Sequence, residues 1–185
     1  EICHCLVGSE MCIRDRLPVV LQFGPCSVVI SATSFLVING NNIREYQVEN
    51  PTSDDGWQEA TKWPQLQTAR SWPGCAEIAK KIVIAGGSSP ALRSTEIVDI
   101  ERRTIQYAGD LNTAREFFHI LSITTAERER TFALGGYDYD GSSYLDSIEE
   151  FDVDTMNWNT TPGKLEEKRS VFGAVALRRS LVCQA

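Results

Sequence analysis

The sequence predicts an all-β protein built from repeated units of four short strands. Two runs, KIVIAGG at residues 81–87 and TFALGG at residues 131–136, have the same form, an apolar strand that ends in two glycines. They lie about fifty residues apart, a spacing typical of repeat proteins. No stretch of ten residues shows the 3.6-residue apolar period of a helix. These observations together favour antiparallel sheets.

A third copy of the pattern precedes the two glycine pairs. FLVING at residues 35–40 has an intact apolar run, and Asn39 stands where the other copies have their first glycine. Asn tolerates a positive φ better than most residues, so we expect Asn39 to adopt the left-handed conformation. Gly40 then matches the second glycine of the other pairs.

Each unit continues with a polar strand in the same phase. NIREYQV at residues 42–48, STEIVDI at residues 94–100 and SIEEFDV at residues 147–153 align without gaps. Polar connectors of hairpin length separate the apolar runs. The four strands predicted for the third unit are residues 117–124, 131–136, 147–153 and 156–160.

Two further residue types recur in each unit. Trp158 follows the polar strand of the third unit, and Ile105 and Trp57 take this position in the second and first units. We expect these side chains to pack between neighbouring units, and the arginine that follows each of them to be structural as well. The residues that mark the repeat are Gly40, Gly86, Gly87, Gly135, Gly136, Trp57, Trp158, Arg70, Arg115 and Arg169.

This ordered set of marks, at a period near fifty residues, resembles the kelch repeat of β-propellers. The resemblance covers roughly residues 26–183 and implies an incomplete propeller with three four-stranded blades and the start of a fourth. Because a propeller needs at least four blades to close, we expect the chain to be part of a longer protein. Within a kelch region of residues 17–185, the implied blades are residues 26–62, 72–108, 117–160 and, in part, 170–185.

Residues 1–16 differ from the rest of the chain and are predicted to be a non-native or disordered leader. Their CLVGSEMCIRDR stretch resembles a translated sequencing adapter, so we exclude it from the fold. The cluster of Cys3, His4, Cys5 and Cys12 lacks zinc-finger spacing, and we expect no metal site there.

The remaining cysteine pattern gives no disulfide framework. The chain has six cysteines and no CxxC pair, so we expect reduced thiols and a cytoplasmic location. A redox-sensing role for Cys75 or Cys183 is an alternative, and our interpretation predicts that neither thiol is unusually reactive.

Composition excludes two classes of partner. The balance of 42% hydrophobic and 23% charged residues is that of a soluble globular protein. A net charge of −7 without a basic stripe argues against nucleic acid and anionic lipid. We also expect no transmembrane helix, because no apolar run is long enough.

In a four-stranded blade, the loop between strands two and three lies on the same rim as the connector to the next blade. The third of these loops, YDYDGSSYLD at residues 137–146, is the longest and the richest in Tyr and Asp, so we expect it to contact a partner. Its aspartates lack the later Glu of a calcium loop, and we expect no metal there. The candidate protein-binding residues on this rim are Asn41, Asn42, Ser88, Ser89, Arg93, Tyr137, Asp138, Tyr139, Asp140 and Tyr144.

The kelch resemblance implies a protein–protein interaction module without a cofactor. Kelch-like propellers often form the substrate-recognition part of a ubiquitin-ligase adaptor that acts with a cullin and carries a BTB domain, and others bind actin. The alternative is a propeller enzyme, resembling galactose oxidase or a sialate epimerase. The copper of such oxidases needs two His and Tyr ligands, but His119 is the only histidine in the repeats, and its apolar FFHIL setting predicts a core histidine, so we expect no enzyme. A BTB domain upstream would favour the adaptor, whereas a signal peptide or converging His, Tyr and acidic residues would favour the enzyme.

Overall fold

The computed structural model describes residues 24–49, 56–58, 62–88 and 91–176, and within them the chain is all-β. No helix in these ranges has the length and apolar character that crossing a membrane requires. The strands are β1 (Cys26–Ser31), β2 (Ser34–Asn39), β3 (Asn42–Gln47), β4 (Gly74–Ile78), β5 (Lys81–Ala85), β6 (Thr95–Asp99), β7 (Thr104–Ala108), β8 (His119–Thr124), β9 (Glu129–Leu134), β10 (Tyr137–Asp138), β11 (Ser143–Tyr144), β12 (Ser147–Asp152) and β13 (Asn157–Lys164).

Three antiparallel sheets are each made of strands that follow one another in the chain. The first has the order β1-β2-β3, the second β4-β5-β6-β7, and the third β8-β9-β12-β13. The short hairpin β10-β11 is inserted between β9 and β12. Where the fourth strand of the first sheet is predicted, the described residues 56–58 contain an isolated bridge between Tyr46 and Trp57.

The predicted start of a fourth unit does not form a strand in its described part. Residues 170–176 contain none. Val171 N donates to Phe117 O at 2.9 Å, and Ala174 forms a backbone hydrogen bond with the side chain of His119, but these contacts do not make a strand ladder. The remaining residues of that unit, 177–185, and the predicted leader, residues 1–16, lie outside the described part of the chain.

The sheets pack side by side through their first strands, because β4 contacts both β1 and β8. Two clusters of buried apolar side chains fill the spaces between them. One joins the first and second sheets and includes Leu36 and Ile84. The other joins the second and third sheets and includes Phe118, Phe151 and Trp158.

Strand β5 explains why its sequence is a continuous apolar run. Ile82 and Ile84 belong to the cluster shared with the first sheet, whereas Val83 and Ala85 belong to the cluster shared with the third. Side chains alternate across a strand, so a strand covered on both faces has no polar position. The second sheet is therefore the middle layer of the described structure.

The strand registers place Trp57, Ile105 and Trp158 opposite corresponding residues of the neighbouring strand. Ile105 pairs with Val98 and Trp158 pairs with Phe151 on the neighbouring strand. The bridge between Tyr46 and Trp57 is the same pairing in the first sheet. Trp158 also donates its Nε1–H to Thr95 Oγ1 at 2.9 Å, which ties the third sheet to the second.

The expectation that Asn39 has a positive φ is wrong. Asn39 pairs with Asn42 at the end of the β2-β3 ladder, so it keeps an extended strand conformation. The left-handed residue is Gly40, with a φ of 61°. The chain turns in two residues here, whereas longer loops follow Gly86 and Gly135, whose φ values are 62° and 55°.

Replacing Gly86 with alanine should lower the free energy of unfolding by about 3 kcal/mol, because the backbone strain of a positive φ and the steric clash of the new Cβ add together. A Cβ there would lie 2.6 Å from Arg115 O at a φ of +62°. Gly40→Ala is the matched control, since its φ is +61° and no atom lies within 4 Å of the added Cβ. It should cost about 1 kcal/mol. Equal losses in urea unfolding would show that the contact with Arg115 does not matter.

The expectation of reduced thiols is wrong for two of the cysteines. Cys26 on β1 and Cys75 on β4 form a disulfide with a Cα–Cα distance of 6.0 Å. The bond joins the first strands of two neighbouring sheets. Cys183, the other candidate for redox sensing, lies outside the described residues.

Candidate functional site on the loop rim

The connectors between sheets and the loops after β5 and β9 meet at one end of the sheets, which we call the rim. Gly87 N donates to Arg115 O at 2.9 Å, and Gly136 N donates to Arg169 O at 2.8 Å. Glu116 and Tyr137 exchange two backbone hydrogen bonds of 2.9 and 3.0 Å. Each loop is thus held by backbone contacts to a connector, which fixes the position of the rim side chains.

Arg70, on the connector that precedes the second sheet, is buried in that sheet. Its Nη1 donates to Gly86 O at 3.0 Å and to Ser94 O at 2.7 Å, and its Nη2 donates to Ser94 Oγ and to Glu96 Oε1, both at 3.0 Å. The Glu96 carboxylate also accepts the backbone N–H groups of Gln67 and Thr68. The ion pair is therefore anchored by main chain on both sides.

Arg115 makes the same set of contacts with the third sheet. Its Nη1 donates to Gly135 O at 2.7 Å, and its Nη2 donates to Ser147 Oγ at 3.1 Å and to Glu149 Oε1 at 2.6 Å. Glu149 accepts two further hydrogen bonds from Asn112, through the backbone N–H and the side-chain amide. The repeat pattern marks the arginines but not their carboxylate partners, although the Ser-x-Glu spacing after each loop is a signal that identifies them.

Both arginines are structural clamps. Their side chains and those of Glu96 and Glu149 are at most 1% exposed. Burial lowers the pKa of Arg70 and Arg115 from the usual value, while the paired carboxylates act in the opposite direction. A guanidinium stays charged despite such a shift. These groups are closed to solvent and thus hold the rim together rather than contact a ligand.

Arg169 has the same backbone position but not the same burial. Its side chain is 47% exposed and lies 3.6 Å from Glu167 Oε2. Within the described residues, no Ser-x-Glu strand lies next to it. The three repeat arginines therefore differ in environment.

The other polar rim candidates are mostly engaged in holding loops. Asn41 O accepts Leu66 N at 2.8 Å, and Arg93 Nε donates to Leu111 O at 2.7 Å. Asn42 Oδ1 accepts a hydrogen bond from the side chain of Gln65, and Ser88 forms a backbone bridge with Ser71. Ser89 lies outside the described residues. These residues do not converge on one point.

The loop at residues 137–146 is a two-stranded hairpin that presents tyrosines to solvent. Tyr137 pairs with Tyr144 across the hairpin, with ring centroids 5.2 Å apart, and the ring of Tyr139 lies 6.4 Å from that of Tyr137. Tyr139 and Tyr144 are 67% and 56% exposed. Asp138 Oδ1 accepts Gly141 N at 3.1 Å, which closes the turn, while Asp140 is exposed at its tip.

An aromatic pocket beside this hairpin was missed by the sequence analysis. It has a volume of about 290 Å³, and Trp72 and Phe117 are in contact in its wall with ring centroids 4.7 Å apart. Trp72, Phe117 and Val171 each lie two residues after a rim arginine and have φ values of 58°, 54° and 53°. Bulky residues rarely adopt this conformation, which costs about 1–3 kcal/mol for each residue, and such strain clusters at active sites, ligand clamps and switch regions.

No metal site is found near these groups. Within the part of the chain that the structure describes, no three His, Cys, Asp or Glu side chains are placed to hold an ion. His119 is partly buried at the start of β8. Desolvation lowers the pKa of His119, and a hydrogen bond to the backbone of Ala174 acts in the opposite direction.

The depressed pKa of His119 should make the protein less stable as the pH falls from about 7.5 to 5.5. The unfolded chain takes up a proton on this imidazole near its ordinary pKa, whereas the folded chain resists it, so acid favours unfolding. Urea unfolding at several pH values should show this slope, and His119→Gln should flatten it. Asp99, Glu150 and Asp152, whose pKa values are lowered, contribute only at more acidic pH. An unchanged slope in the variant would exclude His119 as the cause.

The rim therefore combines a closed structural layer with an exposed aromatic and acidic surface. The clamps lie beneath, and the hairpin and pocket lie where a partner can reach them. Comparison of the sequence with protein-family models and with curated proteins found no match.

Proposed function

We propose that this chain is part of a kelch-type β-propeller that binds another protein on its rim. Sheets of consecutive strands packed side by side support the propeller, because each four-stranded blade has two faces to cover. The recurrence of the Arg–Glu clamp at Arg70 and Arg115 supports a repeat in which one unit is fastened to the next.

The observation that carries the binding proposal is the tyrosine hairpin. Tyr139 and Tyr144 are exposed yet placed on a hairpin whose strands and turn are hydrogen-bonded. Tyrosine offers a large contact area at a low cost in conformational entropy, so rigid exposed tyrosines are typical of protein-binding surfaces. The exposed parts of the Tyr139 and Tyr144 side chains do not contribute to the packing of the chain itself.

The disulfide bears on which kind of kelch protein this is. A cytosolic ubiquitin-ligase adaptor or an actin-binding protein would keep Cys26 and Cys75 reduced. Their pairing favours a binding module that works in an oxidising compartment. We therefore propose recognition of a protein ligand, and we do not extend the proposal to an adaptor.

Selection from a phage-displayed library of random peptides and protein fragments tests this function. The immobilised bait is the intact chain, and selected clones are then measured against Tyr139→Ala and Tyr144→Ala. We expect each substitution to weaken binding at least about tenfold, as for an exposed aromatic anchor.

Tyr107→Ala is the matched control, because Tyr107 is a 52% exposed tyrosine on β7 of the second sheet, outside the hairpin. It should leave the selected clones bound. If no clone is enriched, or if enriched clones bind all three variants equally, the rim is not a protein-binding surface.

A further inference from the structure

We propose that the ligand is a segment that inserts one large apolar side chain into the aromatic pocket and places a lysine or arginine over the tyrosine hairpin. This inference rests on the proposed function and names the chemistry of its partner. It follows from the adjacency of the two surfaces, from the lining of the pocket and from the charge of the hairpin.

The pocket suits one apolar side chain. Its lining includes Pro25, Trp72, Pro73, Phe117, Val171 and Phe172. None of these side chains is charged or carries a hydroxyl or carboxyl group, so the walls offer a ligand side chain mainly apolar and aromatic contact. A volume of about 290 Å³ accommodates a single large side chain such as phenylalanine rather than a long stretch of peptide.

The walls of the pocket are held in place before any ligand arrives. Trp72 N donates to Gly24 O at 2.9 Å, and Val171 N donates to Phe117 O at 2.9 Å. A Cβ on Gly24 would overlap the Trp72 ring, so this glycine makes room for the aromatic wall. A preformed apolar pocket loses little entropy when it is filled.

The hairpin next to the pocket attracts a cation. Residues 137–146 contain three aspartates and no lysine or arginine. Asp146 lies 3.7 Å from Lys164, whereas Asp140 is exposed at the turn beside Tyr139. A lysine or arginine over an exposed tyrosine gains a cation–π contact as well as attraction to the carboxylates.

The two surfaces are close enough for one short peptide. Glu116 is bonded to Tyr137 through its backbone and is followed directly by Phe117 of the pocket wall. Tyr139 follows Tyr137 by two residues, which span at most about 7 Å of chain, so a peptide of about three extended residues is long enough to join pocket and tyrosine.

Three peptides test the proposal on the intact chain. The probe is acetyl-Gly-Phe-Gly-Gly-Arg-Gly-amide. One control peptide has Ser in place of Phe, and the other has Glu in place of Arg. Tryptophan fluorescence reports binding, because Trp57, Trp63 and Trp158 are at most 8% exposed while Trp72 is partly open to solvent. We expect the probe to bind at least about tenfold more tightly than either control peptide.

Variants of the chain locate the site, with binding followed by ligand-observed NMR. Trp72→Gly and Phe117→Gly remove an aromatic wall yet accept the positive φ, and each should weaken the probe about tenfold. Asp140→Asn, an exposed change, should reduce the preference for arginine over glutamate. Lys80→Gly is the control, because Lys80 also has a positive φ of 62° but is exposed in the β4-β5 turn.

Equal affinity for the three peptides, no detectable binding of the probe, or binding that survives both glycine variants would overturn this inference. The proposed function would still stand if library clones depended on Tyr139 and Tyr144 without sharing an apolar and a basic residue. If the library selection yields no hairpin-dependent clone, the broader proposal fails as well.

Discussion

Arg115→Ala should lower the free energy of unfolding by about 3–5 kcal/mol, because it leaves a buried carboxylate without its partner. Glu149 is 1% exposed and accepts the Nη2 hydrogen bond of Arg115 at 2.6 Å. The loss is a large fraction of the stability of an ordinary domain, which is about 5–15 kcal/mol. Urea unfolding followed by tryptophan fluorescence measures this loss. Arg70→Ala should cause a similar loss, because it leaves the buried carboxylate of Glu96 without its partner.

Arg169→Ala is the internal control for this effect. The side chain is 47% exposed and its ion pair with Glu167 is a surface contact, so the substitution should cost less than about 0.5 kcal/mol. The double variant Arg115→Met with Glu149→Leu should cost less than Arg115→Ala alone, because no unpaired charge stays buried. Similar losses at Arg115 and Arg169 would contradict the clamp.

Replacing Cys26 and Cys75 with serine should lower the free energy of unfolding by about 2–4 kcal/mol. The two cysteines are separated by 49 residues in sequence, and the chain-entropy model gives about 4 kcal/mol for a loop of that length. The bond also joins two sheets rather than two strands of one sheet, so its loss should loosen their packing.

Reductant supplies the control for the disulfide. Dithiothreitol should destabilise the natural chain by a similar amount and leave the double serine variant unchanged. Mass spectrometry of a non-reduced digest should find the peptides that contain Cys26 and Cys75 joined. Stability that does not respond to reductant would mean that the bond does not constrain the unfolded chain.

Sequence periodicity located most strands because burial dictates residue type along them. The run at β5 is apolar because Ile82 and Val83 face different packed neighbours. Trp57 and Trp158 recur in the sequence because each faces an aromatic side chain on the adjacent strand, Tyr46 or Phe151. Such signals are local, and a single sequence carries them.

Other features depend on which segments meet in space, and spacing along the chain does not reveal that. The disulfide needs β1 and β4 to be neighbours in different sheets. The positive φ at Trp72 and Phe117 is against the preference of these residue types, so only the packing of the connectors accounts for it. The loop at residues 137–146 formed a hairpin because its Asp and Gly close a turn between Tyr137 and Tyr144.

The assembly of each main sheet from consecutive strands has a consequence for how the protein forms and comes apart. Pairing between near neighbours in sequence closes only short loops, so each sheet can form quickly as soon as its residues have been synthesised. Because β4 contacts both β1 and β8, the first and third sheets depend on the second. Within the described part of the chain, unfolding should therefore reach the second sheet last, as a series of steps between neighbouring sheets.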